Sequence, residues 1–243
     1  MVSGNKGGVG KSLFCLALAS ALDMRGDHYA VFDGDGRTGD VFTAFTDKIP
    51  ARWGDFRRLR PDSHNCNLDL EYETTLHKLL RGSPNLIVNT PDGADSILAK
   101  WFDVTLKHTE DKNYRFKLIY LLSDRPDGLE MLDELVERFQ YLYPVRNRYF
   151  GETKLFTAFN QNYAKKFHCI IDLPKLRGDE ARMLFDLKTY PFEALNLIRK
   201  TTKTFTVPAL SRQRLLNWQN SICQDICDML SDEEMPNYIK SKS

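Results

Sequence analysis

A glycine-rich stretch near the start of the chain carries two lysines. It reads "NKGGVGKS" over residues 5–12, so that Lys6 precedes the glycines and Lys11 follows them. Backbone N–H groups in such a stretch can turn inward around a phosphate chain, and a helix that begins there adds its positive end. The ending Gly-Lys-Ser predicts that Lys11 lies along the β- and γ-phosphates of a nucleotide and that the Ser12 hydroxyl ligates Mg²⁺.

The stretch departs from the common phosphate-loop pattern G-x-x-x-x-G-K-[ST], because Asn5 stands where that pattern has its first glycine. Glycines are still present where the backbone needs positive φ and close approach to a ligand. The alternative interpretation is a glycine-rich turn with incidental lysines, which the surrounding strand, loop and helix disfavour. The residues predicted to bind the nucleotide here are Gly7, Gly8, Val9, Gly10, Lys11, Ser12 and Leu13.

The segments around the loop alternate between helix and strand. Apolar residues fall on every side of residues 12–24, which predicts a buried helix that Gly26 closes. A short strand follows in "HYAVFDGDG", and only residues 1–3 remain for a strand ahead of the loop. Further apolar strands are expected within 85–93, 116–124, 143–151 and 167–174. This alternation predicts an α/β fold, a parallel sheet with helices on both faces, as a single domain over residues 1–243.

The rest of the chain gives weaker signals. Residues 41–84 read as irregular and polar, with a basic cluster at Arg57, Arg58 and Arg60, and residues 151–166 read as polar. A last helix is expected at about 211–230. Another helix begins near Asp127, and its predicted apolar stripe is Leu129, Leu132, Leu135, Val136, Phe139 and Leu142.

Composition excludes several classes of protein. The net charge is +1, from 34 basic and 33 acidic residues, so any DNA-binding surface must be a local patch. No apolar run approaches the roughly 18 residues of a membrane span, and no signal peptide is expected. The five cysteines form no C-x-x-C pair, which indicates reduced thiols in the cytoplasm. Cys223 and Cys227 share a helix face and could chelate a metal, but small buried residues are the favoured interpretation.

The stretch "NKGGVGKS" resembles the deviant Walker A motif of the ParA/MinD family of ATPases, which includes the nitrogenase iron protein. This resemblance implies a three-layer P-loop NTPase fold with a mostly parallel central sheet, and ATP and Mg²⁺ as cofactors. In that family the leading lysine reaches across a dimer interface to the phosphates of the partner's nucleotide. The resemblance therefore implies that Lys6 acts across an ATP-bound homodimer, much as an arginine finger does.

Two further segments resemble family motifs. In "VFDGDG" the second Asp, Asp35, would position the attacking water, and Asp33 would help to hold Mg²⁺-bound waters. An Asp/Gly turn is the alternative. "LIVNTPDG" resembles the Walker B strand followed by D-x-P-P-G, but Asn89 replaces its Asp and Asp92 its second proline. Leu13 stands where the family usually has a hydroxyl residue. Lys6, Lys11 and Asp35 are thus the expected catalytic residues of a slow ATPase, and Ser12, Asp33 and Asn89 its metal shell.

Two residues are candidates for the nucleotide base. Asn147 in "VRNRYFG" lies where the family has a strand ending in an Asn that reads adenine, although an Asn in a turn can equally cap the backbone. Pro174 in "IIDLPKL" matches a family proline whose backbone lines the base pocket.

The resemblance implies an ATP-dependent switch, and such a switch can serve different cellular processes. Membrane recruitment is not expected, because residues 228–243 are acidic and then polar without an apolar stripe. One hypothesis is a ParA-like role in plasmid or DNA partition, maintenance or transfer, with sequence-independent contacts to DNA phosphates. The other is a protein-interaction switch for a partner from a partition or conjugation system, without DNA binding. The basic residues considered for DNA, or for a solvated face of mixed charge, are Lys165, Lys166, Lys175, Arg177, Lys188, Arg199, Lys200, Lys203, Arg212 and Arg214.

Overall fold

The fold is built around one parallel β-sheet. The computed structural model describes residues 1–4, 6–56, 78–79, 81–94, 115–123, 127–151, 154–200 and 209–231. Within these residues the sheet has seven strands in the order β3-β2-β4-β1-β5-β6-β7, and every neighbouring pair is parallel. The strands are β1 Val2–Ser3, β2 Tyr29–Asp33, β3 Ala51–Trp53, β4 Asn85–Asn89, β5 Lys117–Leu122, β6 Tyr141–Asn147 and β7 Ile171–Leu173.

Helices cover both faces of this sheet. One apolar core lies on the side of α1, α2, α5, α6 and α7, and a second core lies on the side of α3 and α4. The predicted three-layer α/β architecture is therefore confirmed, with a sheet that is entirely parallel in the described residues. The helices are α1 Lys11–Arg25, α2 Asp40–Phe45, α3 Asp127–Arg138, α4 Lys154–Asn162, α5 Gly178–Asp186, α6 Pro191–Lys200 and α7 Ala209–Ser231.

The short strand β1 lies in the middle of the sheet. Val2 pairs with Asn89 of β4 on one side and with Ile119 of β5 on the other. The chain runs from β1 to β2 on one side, whereas β5, β6 and β7 extend the sheet on the other side. A crevice forms at such a reversal of strand order, outside the carboxyl ends of the strands. The loop that follows β1 therefore lies at the place where α/β sheets bind ligands.

Helix α1 is buried, as its apolar residues predicted. It ends at Gly26, whose φ of 75° and ψ of 19° are left-handed and favour glycine. Helix α7 packs along it, and the Cys223 thiol lies 3.8 Å from the Ala17 carbonyl oxygen. Burial raises the pKa of the Cys223 thiol to about 12, which agrees with a small core residue.

Three segments differ from the sequence-based expectations. Residues 41–84 were expected to be irregular but contain most of α2 and all of β3. Residues 151–166 were expected to be polar but contain α4, which buries Phe156 and Phe159. Helix α3 ends at Arg138, so the predicted stripe was wrong to include Leu142, which lies in β6. Pro144 disfavours a helix through Leu142, because proline clashes with the carbonyl four residues earlier and favours an extended residue before it.

Several residues considered in the sequence analysis lie outside the described parts of the chain. These are the basic cluster Arg57, Arg58 and Arg60, the thiol of Cys66, and the tail from residue 232 onward. Lys203 and the side chains of Arg199 and Lys200 also lie outside the described residues. Among the helices that are described, none combines the length and the apolar character that crossing a membrane requires.

Candidate nucleotide-binding site

The glycine-rich stretch forms a loop that leads directly into α1. Gly8 has φ 75°, and Gly10, the N-cap of α1, has φ 99° and ψ 17°, so both adopt the left-handed conformation. Among the residues that the structure describes, no side chain caps the helix, and its first turn carries no acidic residue. The N–H groups at the start of α1 therefore keep their capacity to bind an anion, and the helix dipole favours one there.

Lys11 bends back over this loop. Its side chain is only 6% exposed, and Nζ donates hydrogen bonds to the Lys6 carbonyl oxygen at 3.0 Å and to Asp92 Oδ1 at 2.7 Å. Gly7 lies beside this pair, because a Cβ at that position would stand 2.6 Å from Asp92 Oδ2. The structure thus places the ammonium group of Lys11 beside the backbone of Lys6. Lys6, Gly10, Ser12 and Leu13 are partly exposed, Gly7 and Gly8 are exposed, and Val9 is buried.

Asp33 and Asn89 form a buried pair at the ends of β2 and β4. Asn89 Nδ2 donates to Asp33 Oδ1 at 2.9 Å, and the backbone N–H groups of Asp35 and Phe42 donate to the same carboxylate at 3.2 and 3.0 Å. Asp33 is fully buried and Asn89 is 2% exposed. Burial raises the pKa of the Asp33 carboxyl, and the hydrogen bonds from Phe42, Asn89 and Asp35 oppose that shift. A carboxylate in this position is therefore held rigidly.

Asp35 lies in the loop after β2, nearer to solvent than Asp33. Its Oδ1 accepts a hydrogen bond from the Arg37 N–H at 3.0 Å, and its carbonyl oxygen accepts one from Trp53 Nε1 at 2.8 Å. Trp53 stacks on Phe42 with ring centroids 6.4 Å apart, although it is 52% exposed. An aromatic side chain from β3 therefore fixes the backbone that carries the expected water-positioning carboxylate.

Asn147 holds the phosphate loop from the other side. Its Nδ2 donates to the Val9 carbonyl oxygen at 2.8 Å, and its Oδ1 accepts from the Tyr149 N–H at 2.9 Å. A Cβ at Gly10 would stand 2.8 Å from the same Nδ2, so glycine is needed there for space as well as for φ. The capping interpretation of Asn147 is confirmed by these bonds, whereas the contact with adenine stays a prediction.

Pro174 lies just after β7, and its carbonyl oxygen accepts a hydrogen bond from Trp218 Nε1 at 2.8 Å. Trp218 belongs to α7, so the last described helix fixes the segment that was expected to line the base pocket. Lys175, the next residue, lies over the Tyr149 ring at 5.5 Å from its centroid. These residues lie beyond β6 and β7, on the same edge of the sheet as the phosphate loop.

The residues expected to hold Mg²⁺ fit this ion only together with the phosphate groups of a nucleotide. Within the described residues there is no group of three or more His, Cys, Asp or Glu side chains that could hold a metal ion. Mg²⁺ commonly takes one or two protein oxygens and completes its shell with water and substrate phosphates. The Asp33 carboxylate already accepts three hydrogen bonds, and its remaining lone pair suits a metal-bound water. The residues therefore fit the ion as an outer shell, with Ser12 as the candidate direct ligand.

Sequence reasoning missed the contacts of two residues of this site. Asp92 replaces a proline of the family motif, and its contact with Lys11 spans 81 positions of sequence. A carboxylate directly after a Walker B strand was the available signal. Trp53 lies in a segment read as irregular, and nothing in its neighbourhood connected it with Asp35.

Comparisons with known proteins agree with this geometry. Protein MobD of Acidithiobacillus ferrooxidans is 23% identical over 165 residues, which cover 66% of this chain and 67% of that protein. The structure of the MinC:MinD cell division protein complex from Aquifex aeolicus shares the fold at 14% identity. It covers 99% of this chain and 97% of its own, with a TM-score of 0.51.

The family assignment comes from the amino-terminal part of the chain. The family described as the CobQ/CobB/MinD/ParA nucleotide binding domain matches residues 1–152. That range is more than half of the 243 residues, and it contains the phosphate loop, the Asp33–Asn89 pair and Asn147. The chain belongs to the CobQ/CobB/MinD/ParA family of nucleotide-binding proteins.

Proposed function

We propose that this protein is an ATP-dependent dimerisation switch that hydrolyses ATP slowly. The observation that carries the proposal is the hydrogen bond from Lys11 Nζ to the Lys6 carbonyl oxygen at 3.0 Å. It brings the lysine that suits the protein's own nucleotide next to the lysine whose side chain would reach a partner's nucleotide. The packing of α7 on α1 supports a single domain over residues 1–243.

In this proposal the loop N–H groups and Lys11 bind the phosphates of ATP, and Lys6 binds those of the partner subunit. Ser12 would ligate Mg²⁺, and Asp33 and Asn89 would hold waters bound to that ion. Asp35 orients the attacking water, because its loop follows β2 and Trp53 fixes its backbone. When bound, Mg²⁺ supplies charge neutralisation for the phosphoryl group. The protein's part is positioning and electrostatics.

Slow turnover follows from Asn89. Its amide donates to Asp33 at 2.9 Å, so it supports that carboxylate but adds no negative charge to the metal shell. A shell with one protein carboxylate attracts the cation less than a shell with two. Slow hydrolysis suits a switch, because the ATP-bound dimer then lasts long enough to engage a partner.

For the process that the switch serves, we propose a role in plasmid or DNA partition, maintenance or transfer in the cytoplasm, together with a partner protein. Family membership supports this role. DNA contact would be to phosphates and sensitive to salt. Exposed basic residues at the carboxyl edge of the sheet, Lys175 and Arg177, would supply part of that contact.

One observation favours the alternative, a protein-interaction switch that never touches DNA. The basic residues considered for DNA contact lie in two separate places. Lys165 and Lys166 precede β7, whereas Lys175 and Arg177 follow it, so the two pairs lie at opposite edges of the sheet. Arg214 also pairs with the buried Glu180 at 3.5 Å. A gel shift with random-sequence duplex DNA separates the two functions. ATP-dependent retardation that weakens with salt supports the DNA role, and none at low salt supports the alternative.

The dimerisation switch is tested with Lys6→Ala in an Asp35→Ala background that slows hydrolysis. If Lys6 acts across the interface, its removal should leave the nucleotide affinity of the monomer nearly intact. The same substitution should abolish the ATP-induced dimer. Light scattering reports the mass, and calorimetry reports the affinity. Lys166→Ala, a change to an exposed lysine on the opposite edge of the sheet, is the matched control and should still dimerise. A Lys6→Ala protein that dimerises with ATP would refute the proposed switch.

A further inference from the structure

Asp92 forms an ion pair with the lysine of the phosphate loop, and the proposed function gives it no role. Its Oδ1 lies 2.7 Å from Lys11 Nζ, and the two side chains are 38% and 6% exposed. Lys11 is therefore nearly closed off from water, whereas Asp92 lies at the surface of the site. Asp92 also follows Pro91 in a turn whose next residue, Gly93, has φ 67°.

The Asp92 carboxylate takes a donor that a nucleotide would need. The ammonium group of lysine has three donors, and in the structure two of those of Lys11 serve the Lys6 carbonyl and Asp92. A phosphate group and a carboxylate are both anions, so they compete for the same ammonium group. Because Lys11 is buried, water screens this competition only weakly.

Gly7 shows how closely Asp92 lies on the loop. A Cβ at Gly7 would stand 2.6 Å from Asp92 Oδ2, closer than real Cβ atoms approach, and 3.3 Å from its Cγ. Gly7 has no positive φ, unlike Gly8 and Gly10, so at this position glycine provides space and not backbone freedom. Asp92 thus covers the head of the loop, where it contacts both Gly7 and the ammonium group of Lys11.

We propose that Asp92 is a positioning residue that holds Lys11 in the loop and competes with the phosphates of the nucleotide for it. Binding of ATP exchanges the Asp92–Lys11 pair for a phosphate–Lys11 pair, and Asp92 moves toward solvent. Asp92 thereby weakens nucleotide affinity and makes release of the product easier. This inference rests on the nucleotide site of the proposed function.

The test measures nucleotide affinity of Asp92→Asn and Asp92→Ala by calorimetry, in the full chain. Both variants should bind MgATP and ADP at least fivefold more tightly than the wild type, or about 1 kcal/mol, because no carboxylate has to be displaced. Asp27→Asn is the matched control. Asp27 pairs with Arg25 at 2.7 Å with 34% exposure, and it lies beyond the opposite end of α1. The control should bind both nucleotides as the wild type does.

Each other outcome has a distinct meaning. Unchanged affinity in both variants overturns the competition but leaves the nucleotide site standing. Weaker binding of MgATP, with unchanged binding of ATP in EDTA, shows that Asp92 is a metal ligand, and the proposal is then wrong. Weaker binding of every nucleotide with a lower melting temperature shows a purely structural role, which also overturns it. If wild type and variants bind no nucleotide at all, the proposed function itself has failed.

Discussion

Replacing Asn89 by Asp restores the residue that the family carries at this position, yet the structure predicts a cost. Asn89 Nδ2 donates to Asp33 Oδ1 at 2.9 Å, and both side chains are almost entirely buried. Asn89→Asp removes this donor and sets two carboxylates against each other. The variant should therefore be less stable than the wild type when no metal is bound.

The magnitude is limited by protonation. Two charges 2.9 Å apart repel by about 6 kcal/mol at an effective dielectric constant of ~20. Protonating one carboxyl at pH 7 costs only about 4 kcal/mol, from a reference pKa of ~3.9 and ~1.36 kcal/mol per pH unit. The protonated carboxyl can then donate the lost hydrogen bond. Protonation costs less free energy than the repulsion, so we expect the free energy of unfolding to fall by about 3–4 kcal/mol at pH 7.

The same argument fixes the pH dependence. The folded variant holds a proton that the unfolded chain releases above pH ~4, so its pKa is raised in the folded state. The loss of stability should therefore shrink as the pH falls from 7 to 5, by about 1.4 kcal/mol per unit. Burial already raises the pKa of Asp33 in the wild type, which gives a weaker trend of the same sign. The measured quantity is thus the difference between variant and wild type.

Urea unfolding at pH 7, 6 and 5 measures this difference. Asn85→Asp is the matched control on the same strand, since Asn85 donates to the His28 carbonyl at 3.0 Å near the surface. It should lose about 1 kcal/mol without a pH trend in this range. Binding of MgATP should offset the loss of stability in Asn89→Asp. The substitution should also lower the Mg²⁺ concentration needed for half-maximal hydrolysis. A variant as stable as the wild type at pH 7, or one whose loss grows toward pH 5, would refute the reasoning.

Three further predictions concern other residues of the site. Lys11→Ala should weaken MgATP binding at least tenfold in calorimetry, or about 1.4 kcal/mol, and unchanged affinity would rule out the phosphate loop. Asp35→Ala should bind ATP but not hydrolyse it in a phosphate-release assay, and wild-type turnover would show that another group orients the water. Asn147→Ala should lower the free energy of unfolding by about 2 kcal/mol in urea, because it leaves the Val9 carbonyl and the Tyr149 N–H without partners. A neutral effect there would mean that water replaces both bonds.

The sequence predicted the centre of this fold better than its edges. Buried parallel strands such as β5 are continuous apolar runs, and α1 is apolar all round, so both are legible without tertiary information. The short elements α2 and β3 were missed because six and three residues carry too little periodicity. What stabilises them is distant contact, such as the stacking of Phe42 on Trp53.

Within the site, the residue types could be predicted from the sequence, but the hydrogen-bond and ion-pair partners of these residues could not. Local sequence placed Asp33 and Asn89 after buried strands, and adjacent parallel strands bring such ends together. Nothing local indicated that Asn147 would bind the Val9 carbonyl, because that contact joins positions 138 apart. The ion pair of Asp92 with Lys11 was hidden in the same way, since "PDG" reads as an ordinary turn.

The two departures from the family's Walker B segment have linked electrostatic consequences. At Asn89 a neutral amide faces the buried Asp33, which avoids a second carboxylate at 2.9 Å. Three positions later Asp92 places a carboxylate against Lys11. This segment therefore carries its negative charge beside Lys11 of the loop and not beside Asp33. Before ATP binds, this arrangement gives Lys11 a counter-ion and Asp33 a neutral partner. Under the proposed function, ATP would have to displace one carboxylate and its Mg²⁺ would meet only one other, so the same two residues would favour weak nucleotide binding and slow hydrolysis.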